Sequence, residues 1–411
     1  MNKLKWKQTF YFLWVGQAVS VLTSSILQMA LIWHLTVITQ SAFVLSMASL
    51  AGFLPNAIFG IVAGTFVDRM DRKGILIGAD LFIAVISLTL AIAAQNGNIA
   101  VWLVLAVLAI RSIGTAFHTP AISAVTPLIV PPEELTKCAG FTQSLQTIGY
   151  MAGTAIAGIL YPIWSISGMV ALDVFGAIVA SLVVALIKIP KIENADRANQ
   201  SKSFFEETKA GYSALKKEKG IFALVWIAAA FTILYFPINA LFPLMSLDYF
   251  GGTTFQASVT EIAFSVGMLV GSVILGIGGG IKNRGLAIPF SIMLMGVPIT
   301  FSGLLPQSGF WAFAFFCIIM GASAPFHNGP VTALIQEKLP PEYLGRAFGF
   351  YGSIASLAMP VGLLISGAFA DIVGITKWFF ITGTLIVILA LICLAVPSIR
   401  TIDKDGKKAD G

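Results

Sequence analysis

PPEELTKCAGFTQS (residues 131–144) returns as PPEYLGRAFGFYGS (residues 340–353), and seven of the fourteen positions carry the same residue. The offset is 209 residues, and Phe117-His118 recurs at the same offset as Phe326-His327. Each copy is a short polar break between two long apolar runs. The chain therefore reads as one unit written twice, and its architecture follows from what one copy contains.

What it contains is mostly apolar. Of 411 residues, 57% are hydrophobic and 11% charged, with a mean hydropathy of +0.90. A soluble chain runs nearer ~45–50% apolar and ~25% charged. Such an excess has no water-facing fold to hide in. In lipid, a helix of roughly 20 apolar residues spans the hydrocarbon. Hydropathy marks twelve such segments, at 9–36, 42–67, 74–94, 100–126, 138–162, 168–189, 221–247, 256–280, 285–304, 310–335, 345–369 and 376–397. The expectation is an all-α membrane protein of twelve transmembrane helices in two six-helix repeats. The divisions are 1–190 for the first half, 191–220 for a cytoplasmic linker, 221–397 for the second half and 398–411 for a cytoplasmic tail. Within the linker, Phe204–Lys217 has the pattern of an amphipathic surface helix.

An even number of spans puts both termini on one side. The tails and even-numbered connectors hold 23 of the 25 Lys and Arg residues, all but Arg111 and Lys377, which assigns that side to the cytoplasm. The net charge of +6 is thus a topology signal and gives no reason to expect nucleic acid. MNKLKWKQTF has the charge of a signal n-region, but its apolar run continues to about Leu35, too long for an h-region, so it reads as the first membrane helix. Cys138, Cys317 and Cys393 are scattered and odd in number, and the three histidines are far apart, so neither a disulfide framework nor a metal site is expected. Nucleophile and phosphate-loop motifs are absent as well. The expectation is a protein that is not an enzyme and carries no cofactor.

GTFVDRMDRKG (64–74) concentrates charge between the second and third segments. It resembles the signature of the major facilitator superfamily at that connector, with Gly64, Asp68, Arg69, Arg72 and Lys73 matching, while Phe66, Val67 and Asp71 depart from it. The equivalent stretch of the second half, GIGGGIKNRG, keeps Arg284 and has no carboxylate. The resemblance implies a gate: Asp68 faces the N-terminus of helix 11, where the helix dipole favours an anion, and Arg72 pairs with Asp68 or Asp71. In the fifth segment Gly140, Gly149, Gly153 and Gly158 keep the spacing of the facilitator antiporter motif, with Thr154 where that motif has Pro and Ala157 where it has Gly. Small residues let helix backbones approach closely, and the missing Pro predicts an unkinked helix. Longer runs, among them Trp14-x-Gly16-Gln17-Ala18-Val19-Ser20, Gly52-Phe53-Leu54-Pro55 and Ile110 to Pro120, are similar to the Mef-type macrolide efflux proteins among the drug:proton antiporters.

Ionisable groups at bilayer depth are costly and mark candidate sites. Arg111 lies mid-helix 4, at the family's membrane-arginine position. Arginine keeps its charge in proteins, so it either tunes a nearby acid or forms a structural pair. Glu261 and Asp173 are the leading carboxylates for proton coupling. Asp80, near the inner end of helix 3, is read as a partner for the charged connector, with proton coupling as the alternative. Asp248 and Asp371 fall at helix ends and are expected to be solvated. His118 and His327 are read as satisfied core residues, with a proton relay as the alternative. Gln17 and Gln28, eleven residues apart, share a helical face. With Met29, Phe53, Asn56 and Asn239 they are the candidate cavity lining.

What the resemblance implies is a proton-driven secondary exporter of lipophilic drugs, macrolide antibiotics foremost, in the bacterial cytoplasmic membrane. Its partners are the small lipophilic substrate, protons and the bilayer, and it functions as a monomer. Export of an endogenous amphiphile such as a siderophore, and nutrient import, are the alternatives.

Overall fold

The computed structural model describes residues 3–95, 99–189, 212–213, 215–277, 283–400 and 402. Among them are twelve long helices: α1 (Lys3–Thr39), α2 (Ala42–Arg69), α3 (Arg72–Gln95), α4 (Val101–Ile129), α5 (Leu135–Leu160), α6 (Ile166–Leu186), α7 (Lys219–Ala240), α8 (Thr254–Ile277), α9 (Arg284–Ser302), α10 (Phe310–Lys338), α11 (Pro341–Val373) and α12 (Ile375–Ala395). No strand occurs among the described residues. A backbone in lipid must satisfy its own polar groups, which a helix does within one segment. Leu186, Ile277 and Ile372 leave most of their surface uncovered, as suits helices whose solvent is apolar. The predicted linker helix 204–217 lies outside the described residues apart from 212, 213 and 215–217, as does most of the tail.

Local chemistry sets several of the ends. Ser165 caps α6 by accepting from Gly168 N, and Asn283 does the same for α9 from Leu286 N. Pro341 opens α11, where its missing N–H costs nothing. The seventh predicted segment is broken: α7 stops at Ala240, and the chain continues through Phe242–Leu244 and a wide turn over Met245–Tyr249. Pro237 and Pro243 each remove a donor there. The α2 helix contains Pro55 and is mended from outside: Ser112 Oγ of α4 accepts from Asn56 N (3.1 Å) and donates to Gly52 O (2.6 Å), standing in for the bond between those two groups. The α5 helix runs uninterrupted from Leu135 to Leu160.

Eleven helices are long and apolar enough to cross a membrane by length and composition. The exception among the twelve is α5, whose sequence carries Lys137, Gln143, Gln146 and Thr147.

The chain divides into two compact units, the first comprising residues 1–40, 47–197 and 254–258, the second residues 41–46, 198–253 and 259–411. Inside the first, α1 packs on α5 and α6, and α3 on α4 and α6. Inside the second, α7 packs on α11 and α12, and α9 on α10 and α12. The second pattern is the first with every helix number raised by six, so the repeated sequence builds a repeated topology. Its register is close: α6 and α12 share the 209-residue offset end to end. Gly153 of α5 and Gly362 of α11 are related by that offset. Each lies where a helix backbone passes, Gly153 against Leu22 to Ile26 of α1 and Gly362 against Ile233 of α7. The second unit's core is aromatic, with Phe242, Phe313 and Phe379 fully buried and in mutual ring contact.

Candidate functional site

The first unit has an open cavity of about 320 Å³. Four positions three or four residues apart on one face of α1 line it, Gln17, Ser20, Ser24 and Gln28. Opposite them stand Asp80 of α3, Arg111, Ser112, Thr115 and His118 of α4, and Gln146 and Tyr150 of α5. Of the polar residues that lower the hydropathy of α5, Gln146 is one of these. Gln17 and Gln28 thus face the cavity. Met29 is buried beside it under the Tyr150 hydroxyl (3.6 Å), while Phe53 and Asn56 of α2 do not line it. Asn239 belongs to the second unit. Ser20 and Ser24 between the two glutamines were missed, although their spacings of three and seven residues from Gln17 put them on the same stripe.

One wall is ionic. Arg111 forms a buried pair with Asp173 of α6, and Ser87 of α3 bridges the two, accepting from the guanidinium and donating to Asp173 Oδ2 at 3.1 Å. Ser24 Oγ of α1 donates to the other carboxylate oxygen at 2.7 Å. Four helices therefore meet on one carboxylate, and both its oxygens are engaged. The pair belongs to one repeat alone: the positions 209 residues on are Met320 and Thr382.

Asp80 faces the cavity with Oδ1 3.4 Å from His118 Nε2. Its expected partnership with the charged connector is not what the structure has, because α3 turns Asp80 toward α4. At 3.4 Å the pair is close but not aligned as a hydrogen bond, so Asp80 Oδ2 and His118 Nε2 remain buried without one. His118 is therefore not the satisfied core residue expected from sequence. His327 lies against the Phe231 ring at 5.0 Å, and its Nδ1 is likewise buried without a partner.

Glu261 is a buried carboxylate of the second unit, on α8, within electrostatic reach of Tyr235 and Cys317. In the connector, Asp71 is exposed between α2 and α3. Arg72 donates to Ala124 O (3.4 Å), and Lys73 Nζ donates to Ala185 O and Ile187 O (2.6 and 2.9 Å), closing the C-terminal end of α6 where a cation is favoured. The side chains of Asp68 and Arg69, with Gly64, lie outside the described residues. Among the motif glycines, Gly149 faces Val21 and Gly153 faces Ser25, both on α1, while Gly158 faces Ser258 within the first unit. A side chain at Gly140 would meet nothing within 4 Å.

Asp371 is exposed, as expected of a residue at a helix end, and it also has partners. Near the end of α11, it accepts from Ser41 Oγ (2.6 Å), Ala42 N (2.5 Å) and Phe43 N (3.1 Å), all within the second unit. A carboxylate supplied by another helix thus caps the first turn of α2. Asp371→Ala should cost that turn about 1 kcal/mol, read as roughly fivefold faster amide exchange at residues 41–46. Unchanged exchange there would show the cap to be idle.

A family model described as the Major Facilitator Superfamily matches residues 13–363, with a second match over 284–409. "Macrolide efflux protein A" of Streptococcus pyogenes is 53% identical over 399 residues, covering 97% of this chain and 98% of that protein. The protein of the same name from Enterococcus faecalis is 53% identical over 324 residues, 79% of this chain and 99% of its own length. "Multidrug efflux pump Tap" of Mycolicibacterium fortuitum is 25% identical over 89% of this chain and 90% of that one. Among solved structures, the nucleoside transporter NupG superposes with a TM-score of 0.75 at 14% identity, covering 96% of this chain and 99% of that chain. A bacterial homologue of the lysosomal transporter Spinster gives 0.67 at 14% identity, with 99% of both chains covered.

Proposed function

The chain belongs to the major facilitator superfamily, and on that premise we propose that it is an efflux transporter exporting macrolide antibiotics in exchange for protons. The observation that carries this reading is its near-full-length identity to macrolide efflux protein A, at a level where a pocket and its substrate class are commonly shared. The first unit's cavity suits the assignment. It offers amides and hydroxyls facing one charged wall of Asp80, Arg111 and His118, and its volume falls at the low end of ligand pockets, ~300–1,000 Å³. A large, mainly apolar ligand with scattered hydroxyls is held by such a surface without an ion pair for every contact.

Work must come from an ion gradient, since the sequence holds no nucleotide-binding motif. One proton moving down roughly 180 mV supplies about 4 kcal/mol, enough for roughly a thousandfold gradient of a neutral substrate. The Lys/Arg distribution supports a bacterial plasma-membrane protein with both termini in the cytoplasm, and the monomer is the working unit. Drug-hypersensitive bacteria expressing the chain should accumulate about tenfold less labelled erythromycin than controls, and a protonophore should raise accumulation to the control level. Accumulation equal to the empty vector, with the protein in the membrane, would refute macrolide export and favour an endogenous amphiphile.

A further inference from the structure

The first unit holds two acid–base pairs in one cavity wall, and they differ in what surrounds them. Asp173 has no capacity to spare: Ser24 occupies one oxygen, Arg111 and Ser87 the other. Arginine does not give up its proton. Asp80 and His118 form the opposite case. Asp80 Oδ2 and His118 Nε2 are buried and unpartnered, and the other carboxylate oxygen, Oδ1, lies 3.4 Å from Nε2. That separation is a small side-chain adjustment from a hydrogen bond.

Position strengthens the contrast. His118 lines the main cavity and also a second one, of about 30 Å³, on the side toward the N-terminal end of α1. That volume admits a water molecule, and Thr126, Thr142 and Gln146 offer polar groups along it. The Trp14 indole lines it as well and donates to Phe141 O at 3.2 Å. His118 thus stands where the two spaces meet, with Asp80 beside it on the side of the larger.

We propose that Asp80 and His118 together hold the exchanged proton, that the small cavity under His118 is its route to the cytoplasmic end, and that Arg111–Asp173 is a fixed electrostatic wall. The proposal rests on proton-coupled export. One proton serves the pair. When it crosses, the O–H bond on Asp80 breaks and an N–H bond forms on His118, leaving a carboxylate and an imidazolium. Loss of that proton through the small cavity leaves the pair with one negative charge. Arg111 on α4 and Asp173 on α6 are the charged groups facing the pair from the helices packed around it. The α1 and α5 helices turn toward it Gln17, Gln146 and the Tyr150 phenol.

The test uses the purified full-length chain in proteoliposomes. Infrared difference spectra without drug, between about pH 5 and about pH 9, should show a carboxyl C=O band in the wild type. That band should be missing in Asp80→Asn and shifted in His118→Gln. In the same vesicles, Asp80→Asn should lose gradient-driven erythromycin transport about tenfold or more and exchange of labelled for unlabelled erythromycin by a smaller factor. Asp80→Glu should recover the gradient-driven rate. A spectrum of Asp80→Asn identical to the wild type overturns the proposal, as does undiminished gradient-driven transport by that variant. Loss of both transport modes in Asp80→Asn and Asp80→Glu alike makes the residue structural and also overturns it. A wild-type chain that moves no erythromycin refutes the macrolide reading instead, and the drug-free spectra still decide this one.

Discussion

Arg111→Ala is expected to abolish export and to destabilise the first unit by about 3–5 kcal/mol, the cost of stranding one member of a buried ion pair. The loss is large because Asp173 keeps its place between α1, α3 and α6 with Ser24 and Ser87 as its remaining partners. Two hydroxyls do not replace a guanidinium. The measurement is the midpoint of thermal unfolding for detergent-purified protein, read beside transport. Adding Asp173→Asn should restore much of the lost stability, because the stranded charge goes with it, while transport stays lost. If the double variant is no more stable than Arg111→Ala, the unpaired carboxylate is not the cause.

Gly362→Val is expected to be as damaging by a different route. A Cβ there would fall on the backbone carbonyl of Ile233, with its Cα only 3.0 Å away. Backbone has no rotamer to change, so α11 must move off α7 along its length, at the upper end of overpacking costs, about 3 kcal/mol. Gly153→Val does the same to α5 and α1, where Leu22 O lies 3.0 Å from the added carbon. Gly140→Ala is the internal control, since its added carbon meets nothing within 4 Å. Yield of monodisperse protein on gel filtration should fall sharply for Gly362→Val and Gly153→Val and hold for Gly140→Ala. Equal yields for all three would remove close packing as the reason for the glycines.

Much of this fold was legible because lipid imposes a simple rule. Apolar runs of sufficient length had to be helices, and the 209-residue recurrence had to mean two copies of one arrangement. Helix ends were less legible: α1 and α11 extend past their apolar runs into polar sequence, and α7 breaks at prolines that hydropathy does not weigh. At the site, the charges themselves stood out, Arg111 and Asp173 above all. Their pairing did not, because it joins residues 62 apart through helices that are apolar all round. Asp80 and His118 were misjudged for the same reason. One sits near a charged connector and the other in a repeated dipeptide, and both facts pointed away from each other. Asp371 was hidden more deeply, since its partners are backbone amides 328 and 329 residues earlier.

The modest hydropathy of α5 also bears on how the protein is made. A segment carrying Lys137, Gln143, Gln146 and Thr147 gains little by entering lipid alone. Gly149 and Gly153 are shaped to one partner, α1, which leaves the ribosome more than a hundred residues earlier. The first helix synthesised must therefore remain within reach of the insertion site until the fifth arrives. Assembly of the first six helices is in that respect a single delayed event rather than six successive ones.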